Sequence, residues 1–407
     1  MFSRVWPMKN PIQYYGWGST TAIPQLLGME NPENKPMAEL WMGAHPKAPS
    51  EVLVLGRWTK LPDLIQEAPE PILGKLVYER FGPELPFLFK VLAAQEPLSI
   101  QAHPNKAQAR EGFLREEALG IPIDAQERNY RDQNHKPELL CALTRFEALK
   151  GFRPPAEIVE LFKKVLPPRF SNWLEILQTS STGIRDFFEA LMRMDKDGLR
   201  RLLGSVAEMA RQLEGSQREF QWVILLHKRY PIDPGVLSPL FLNLVILEPG
   251  EAIYLPAGEL HAYLEGMGIE IMANSDNVLR GGLTNKHVDV DELVKVCKFR
   301  PTDPYKLRPK VTEMGEWIYE TPAEEFQLSV VRVDNEVVSQ NQGGFGAASI
   351  IICTEGQLWV KAKEQPDPVE LSKGRSIFIP AVGHPYTIRG QGIVYKATVP
   401  HALRQVS

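Results

Sequence analysis

The sequence predicts a mainly β chain with an α-helical insertion: two β-barrels plus a helical subdomain. Three features carry that expectation. Apolar runs of strand length, each broken by Pro or Gly within a few residues, fill the first 153 residues and return from Leu240 onward. Between them, from Pro154 to Tyr230, the apolar residues shift to a helical period. Finally, PGEAIYLPAG (Pro249–Gly258) is echoed by SKGRSIFIPAVGH (Ser372–His384), each with a Gly six residues before a Pro-Ala pair, as two related barrels would show.

Taken in order, AELWMGAHPKAPSEVLV (Ala38–Val54), LPFLFKVLAAQEPLSIQAHP (Leu85–Pro104) and KPELLCALTRFEALKGF (Lys136–Phe152) read as strands. One helix interrupts them, NKAQAREGFLREE, with Asn105 as its N-cap. In the central block EIVELFKKVL sets Ile158, Leu161, Phe162, Val165 and Leu166 at helical spacing, and three to five amphipathic helices are expected before Pro231. The predicted domains are therefore 1–153 with 231–300 as one barrel, 154–230 as a helical insertion, and 301–407 as a second barrel without metal ligands. The 34 prolines exceed the usual ~5% but stand singly or in pairs, which is turn punctuation and not low-complexity disorder.

Charge narrows the function. Lys plus Arg number 46 against 50 Asp plus Glu, for a net charge of −4. That balance argues against a nucleic-acid or membrane-surface partner. Three scattered cysteines (Cys141, Cys297, Cys353) form no disulfide or CxxC pattern, and the N-terminus has no apolar signal core. A cytoplasmic location is the expectation.

The chemistry centres on metal-capable groups. Gln101 and His103, at i and i+2, face the same side of a strand. Glu138 follows the proline-restricted turn at Pro137, and His261 ends a tight turn after Gly258. Read alone, each imidazole is more often an ordinary hydrogen-bonded or surface histidine than a ligand. The spacing Gly250-x5-Pro256-x-Gly258-x2-His261, however, resembles the second motif of the cupin superfamily, in which that His binds metal. Two departures from the general cupin pattern are Gln101 in place of a first His and Glu265 in place of a closing Asn.

A closer resemblance covers essentially the whole chain. AELWMGAHPKAPS, QAHPNK, NHKPELLCAL and YLPAGELHAYLEGMGIEIMANSDNVLRGGLTNKHVDV resemble the type I mannose-6-phosphate isomerases, zinc-dependent phosphomannose isomerases. The Gln-x-His departure is typical of that family. The resemblance implies two cupin-like (jelly-roll) barrels and one Zn²⁺ per chain, held by Gln101, His103, Glu138 and His261. Two imidazoles, an amide oxygen and a carboxylate would leave the ion with a net positive charge, still a good Lewis acid.

The resemblance also implies a phosphorylated sugar as substrate, interconverted between mannose 6-phosphate and fructose 6-phosphate through a cis-enediolate. Arg280, Lys286, Lys136 and Lys90 are the charges expected in the cavity; a Lys within an apolar run such as LPFLFKVLAAQ is rarely buried without a partner. Gly281 and Gly282 are expected to let the Arg280 loop approach a ligand closely. The assigned roles are His135 in ring opening, Lys90 or Lys136 as proton carrier, Glu270 as orienting group, and Arg280 as stabiliser of the enediolate. Ser99, Tyr263, Asp276 and Lys286 are expected to bind substrate, and the chain to act as a monomer. Two rivals share the residues: an iron(II) cupin oxygenase, using His103, Glu138 and His261, and a non-catalytic sugar-phosphate-binding cupin.

Overall fold

Strands pair antiparallel into two sheets, of eleven and ten strands, among the residues that the computed structural model describes: 2–213, 215–312, 315–339 and 346–400. Positions 313–314, 340–345 and 401–407 of the expected second barrel therefore lie outside the described residues. In the ten-stranded sheet the long strand His261–Ala273 is the organising element. Its second half pairs with Phe87–Ala94 on one side and Glu138–Ala142 on the other. Its first residues pair instead with Phe146–Phe152 and Ile100–Ala102, and a register shift between Tyr263 and Glu265 marks the change of partner. A bulge of this kind bends a strand and lets a sheet curl.

The eleven-stranded sheet is built on Ser349–Ala362 paired along its length with Tyr386–Thr398. It takes in strands from the other end of the chain: Trp6–Lys9 pairs with Ser376–Ile379, and Glu51–Val54 pairs with Trp6–Lys9. Trp6 stacks on Phe378 at 5.8 Å. The segment 1–153 thus contributes to both sheets. A single apolar cluster, from Phe87 and Phe89 through Trp6 to Ile350 and Phe378, joins them. The echo noted in sequence has a geometric counterpart, since Gly250 and Gly374 both take left-handed φ, 87° and 80°, two residues before the strands Ala252–Leu255 and Ser376–Ile379.

Among the described residues five α-helices lie between 155 and 229: Pro155–Val165, Ser171–Thr179, Gly183–Met192, Lys196–Gln212 and Arg218–Arg229. Pro155 occupies the first turn, where a missing N–H costs nothing. Ile158, Leu161, Phe162 and Val165 are buried as their spacing predicts, and Leu166 is partly so. Asn105 caps Lys106–Ala118 through a full capping box with Gln108. One expectation fails: the first 153 residues hold more than one helix. Ala22–Leu27, Leu61–Glu67, Pro69–Leu73 and Lys75–Phe81 are also helical. Each is a turn or two long, too short for an amphipathic period to register.

Asn243 ties the sheet to the chain's return toward the second half. Its buried amide donates to the carbonyls of Lys150, Gly151, Phe152 and Thr302 at 3.0–3.2 Å, where the pairing of Leu242–Leu247 shifts register. Asn243→Leu removes the donor these carbonyls share, leaving Phe152 O with its bond from the Thr302 N–H, and a loss of about 2 kcal/mol in unfolding free energy is expected by urea titration.

Candidate active site

Cross-strand register assembles the site from residues far apart in sequence. Arg280, Gln101, His261 and Lys150 are successive partners across four strands. A second row sets Trp41 opposite Lys90 and Lys90 opposite Glu270, while Glu138 lies opposite Met272, two residues beyond Glu270 on the same face. The second row, with Arg280 and Gln101 of the first, opens on a cleft of about 590 Å³, and His261 and Lys150 lie outside its lining. Gln101, Glu138, Ser99, Lys90, Lys136, Tyr263, Glu270, Asp276, Arg280 and Lys286 all line it.

His103, Glu138 and His261 converge, their ligand atoms within 4.8 Å of one another, and each is about 1% exposed. His103 Nε2 lies 3.4 Å from one Glu138 oxygen and His261 Nε2 3.3 Å from the other. Yet His103 Nε2, His261 Nε2 and Glu138 Oε2 make no hydrogen bond. Buried polar atoms are rarely left so, and three aimed at one point fit a cation between them. The opposite ring nitrogens agree: His103 Nδ1–H donates to the Asn277 carbonyl at 2.7 Å and His261 Nδ1–H to the Glu259 carbonyl at 2.9 Å. A carbonyl only accepts, so both Nε2 lone pairs face inward in the metal-binding tautomer. Burial drives the His103 pKa down to about 4, which keeps it neutral. Burial works against the Glu138 charge, but Lys136 and His103 hold that carboxyl well below its usual range. Two imidazoles and a carboxylate, with the Gln101 amide beside His261, suit a divalent ion of intermediate softness.

Lys90 sits buried between two carboxylates, 2.8 Å from Glu270 Oε2 and 3.4 Å from Glu39 Oε1. Their other oxygens are also taken: Tyr263 O–H donates to Glu270 at 2.9 Å and Trp41 Nε1–H to Glu39 at 2.7 Å. Burial disfavours the ammonium, but Glu270 and then Glu39 outweigh it and push the Lys90 pKa up. Burial also raises the Glu270 carboxyl, against the pull of Lys90. Lys136 Nζ has one carboxylate neighbour among the described residues, Glu138 at 3.0 Å. Asp276 meets Lys47 at 2.7 Å and His45 at 3.5 Å; burial would raise its carboxyl, but these two neighbours hold it below its usual range.

One expectation is displaced. His135 is not among the cleft's lining residues, because its Nε2 turns to Glu325 at 2.7 Å, in the chain's last third. At Gly281 and Gly282 the protein's own packing already calls for glycine: a Cβ on Gly282 would stand 2.8 Å from Asp233 Oδ1, and one on Gly281 3.2 Å from Leu260. Sequence reasoning also missed cleft residues. Glu39, Trp41, His45, Lys47 and Arg131 line the wall. AELWMGAHPKAPS had marked the segment of the first four, but nothing within it singled out a side chain; Arg131 lay in no motif.

The comparisons agree with this chemistry. Residues 5–155 match the family model for phosphomannose isomerase type I, catalytic domain. The mannose-6-phosphate isomerase of Escherichia coli is 44% identical over 390 residues, spanning 94% of this chain and 96% of its own length. The Homo sapiens mannose-6-phosphate isomerase is 34% identical, covering 93% and 94%. A zinc-bound crystal structure of mannose 6-phosphate isomerase superposes with a TM-score of 0.87 at 39% identity, covering 97% of this chain and 99% of that one. A variant phosphomannose isomerase from Salmonella typhimurium gives 0.90 with the same identity and coverage. Likeness sustained from end to end, on a buried His–Glu–His site beside a cationic cleft, means that this chain belongs to the type I phosphomannose isomerase family.

Proposed function

We propose that this chain interconverts D-mannose 6-phosphate and D-fructose 6-phosphate with one Zn²⁺, held by Gln101, His103, Glu138 and His261, on two cupin-like barrels with a helical subdomain at 154–230. The observation that carries the reading is the convergence of three buried, unpartnered ligand atoms beside a cleft holding unpaired cations. When bound, the ion supplies a Lewis acid that favours negative charge on the sugar oxygens. Neither the iron(II) oxygenase nor the non-catalytic reading is favoured by the relatives found. Three free, buried cysteines suit a reducing, cytoplasmic setting, and no described helix is long and apolar enough to cross a membrane.

The chain's own groups divide the work. Isomerisation moves a proton between adjacent carbons, so the shuttle must both lose and regain it. Lys90 is locked as an ammonium by two carboxylates, and both oxygens of Glu270 are engaged. Lys136, with a single carboxylate partner among the described residues and a place on the cleft wall, is assigned the shuttle. Arg280 supports the enediolate charge, Lys286 and Ser99 take the phosphate end, and Asp276 and Tyr263 lie against the sugar. His135, set apart on Glu325, serves the contact between the two halves in place of ring opening.

Metal analysis with a coupled assay for fructose 6-phosphate formation tests the reading. About one zinc per chain is expected, with activity lost on chelation and restored by zinc. Zinc-loaded protein that fails to turn over mannose 6-phosphate would sink it. Lys136→Met should lower kcat by about 10²–10⁴-fold with zinc content unchanged; turnover within threefold of wild type would move the shuttle elsewhere.

A further inference from the structure

Seven cations line the cleft, and they fall into two sets. Lys47, Lys90, Lys136 and Arg229 each have a carboxylate partner, Asp276, Glu39 with Glu270, Glu138 and Glu96 respectively. Arg131, Arg280 and Lys286 have no carboxylate within 4.0 Å among the described residues. Burial, followed by the neighbouring Arg131 charge, depresses the Arg280 guanidinium; burial, then Arg280 and Arg131, depresses Lys286. The three therefore repel one another and stand close enough to feel it. Like charges gathered without a counter-ion are a cost to the fold that an anion relieves.

Arg131 is also positioned from behind. Its backbone N–H donates to Asn277 Oδ1 at 2.7 Å. Asn277 is wholly buried, and its amide nitrogen is held by the carbonyls of Asp132 and Asn134 at 2.8 and 2.9 Å. The backbone carbonyl of the same Asn277 receives the His103 Nδ1–H. One residue thus fixes both the main chain at Arg131 and the ring of a metal-site histidine.

We propose that Arg131 is a specificity-determining residue: with Lys286 it seats the substrate's phosphate, while the neighbouring Arg280 faces the reacting carbons. Asn277 sets the distance from that seat to the metal site. The inference rests on the sugar-phosphate reading above and adds a residue to it. A phosphate monoester carries nearly two negative charges at neutral pH, and a guanidinium can engage two of its oxygens at once. An enzyme that measures its substrate from phosphate to C1–C2 needs both ends on one rigid support. Arg131–Asn277–His103 is such a support.

Inorganic phosphate is the probe, used as an inhibitor against mannose 6-phosphate in zinc-loaded protein at fixed ionic strength. In wild type it should be competitive. Arg131→Ala should raise the phosphate Ki and the KM together by about 10–100-fold, with kcat within threefold and zinc content unchanged. Arg131→Lys should recover part of the loss, since it restores charge without the planar fork. Ki and KM within twofold of wild type in Arg131→Ala would overturn the assignment while leaving the isomerase reading intact. So would a loss of zinc or kcat at unchanged Ki, because Arg131 would then act only through the Asn277 support. Phosphate that fails to compete in wild type would instead remove the seat itself.

Discussion

His261→Ala is expected to leave the protein folded but without stoichiometric zinc after dialysis against a chelator, and to lower kcat/KM by at least about 10³-fold. The ring is 1% exposed, its Nε2 has no protein partner, and its Nδ1–H is committed to the Glu259 carbonyl. Its fold contribution is thus one hydrogen bond and some packing, whereas its loss removes one of two imidazoles from the site. The remaining His103 and Glu138 do not make a competent closed set for zinc. Arg280→Ala provides the contrast. It should retain zinc and lose about 10²–10³-fold in kcat, the usual cost of one preorganised charge at a developing oxyanion. Metal content by mass spectrometry and the coupled assay separate the two, and a His261→Ala protein that keeps both zinc and turnover would remove His261 from the ligand set.

What the sequence disclosed about this site follows a physical divide. Groups placed by local geometry were legible in part: His103 by its Gln-x-His motif, although the strand Ile100–Ala102 ends one residue before it, His261 by the Gly–Pro hairpin spacing, and Asn105 by its cap. Groups placed by long-range pairing were not. That Lys90 stands opposite Glu270, 180 residues away, depends on how the strand His261–Ala273 registers with Phe87–Ala94. An apolar run containing one Lys says only that some partner exists. Arg131 and Asn277 were invisible for the same reason, since their significance lies in a hydrogen bond across 146 residues. His135 shows the reverse case: it stands three residues from Glu138, yet its Nε2 meets the buried Glu325 and it does not line the cleft. The joining of Trp6–Lys9 to the far sheet was equally beyond local reading, because a four-residue strand carries no mark of its partner.

Lys90→Met follows from that hidden pairing, and is expected to cost about 3–5 kcal/mol of stability. Methionine matches the buried stem of lysine closely, so packing in Phe87–Ala94, where all eight residues are buried, changes little. What is lost is the cation between two carboxylates whose side chains are 8% and 3% exposed. Trp41 and Tyr263 still donate to Glu39 and Glu270, but neutral donors do not offset two buried negative charges. One carboxyl must then take up a proton, and burial already raises Glu270. A carboxyl with a folded pKa above its unfolded value destabilises the fold increasingly as pH rises past about 4.3, the ordinary Glu value. The deficit of Lys90→Met relative to wild type should therefore be largest near pH 8 and shrink toward pH 5. Adding Glu39→Gln should recover part of it at pH 8, because one carboxylate no longer needs compensation. Urea midpoints for the single and double variants at the two pH values make the test. A single variant as stable as wild type at pH 8, or a deficit that grows on acidification, would show that the ammonium is not what keeps the two carboxylates buried in the cleft wall.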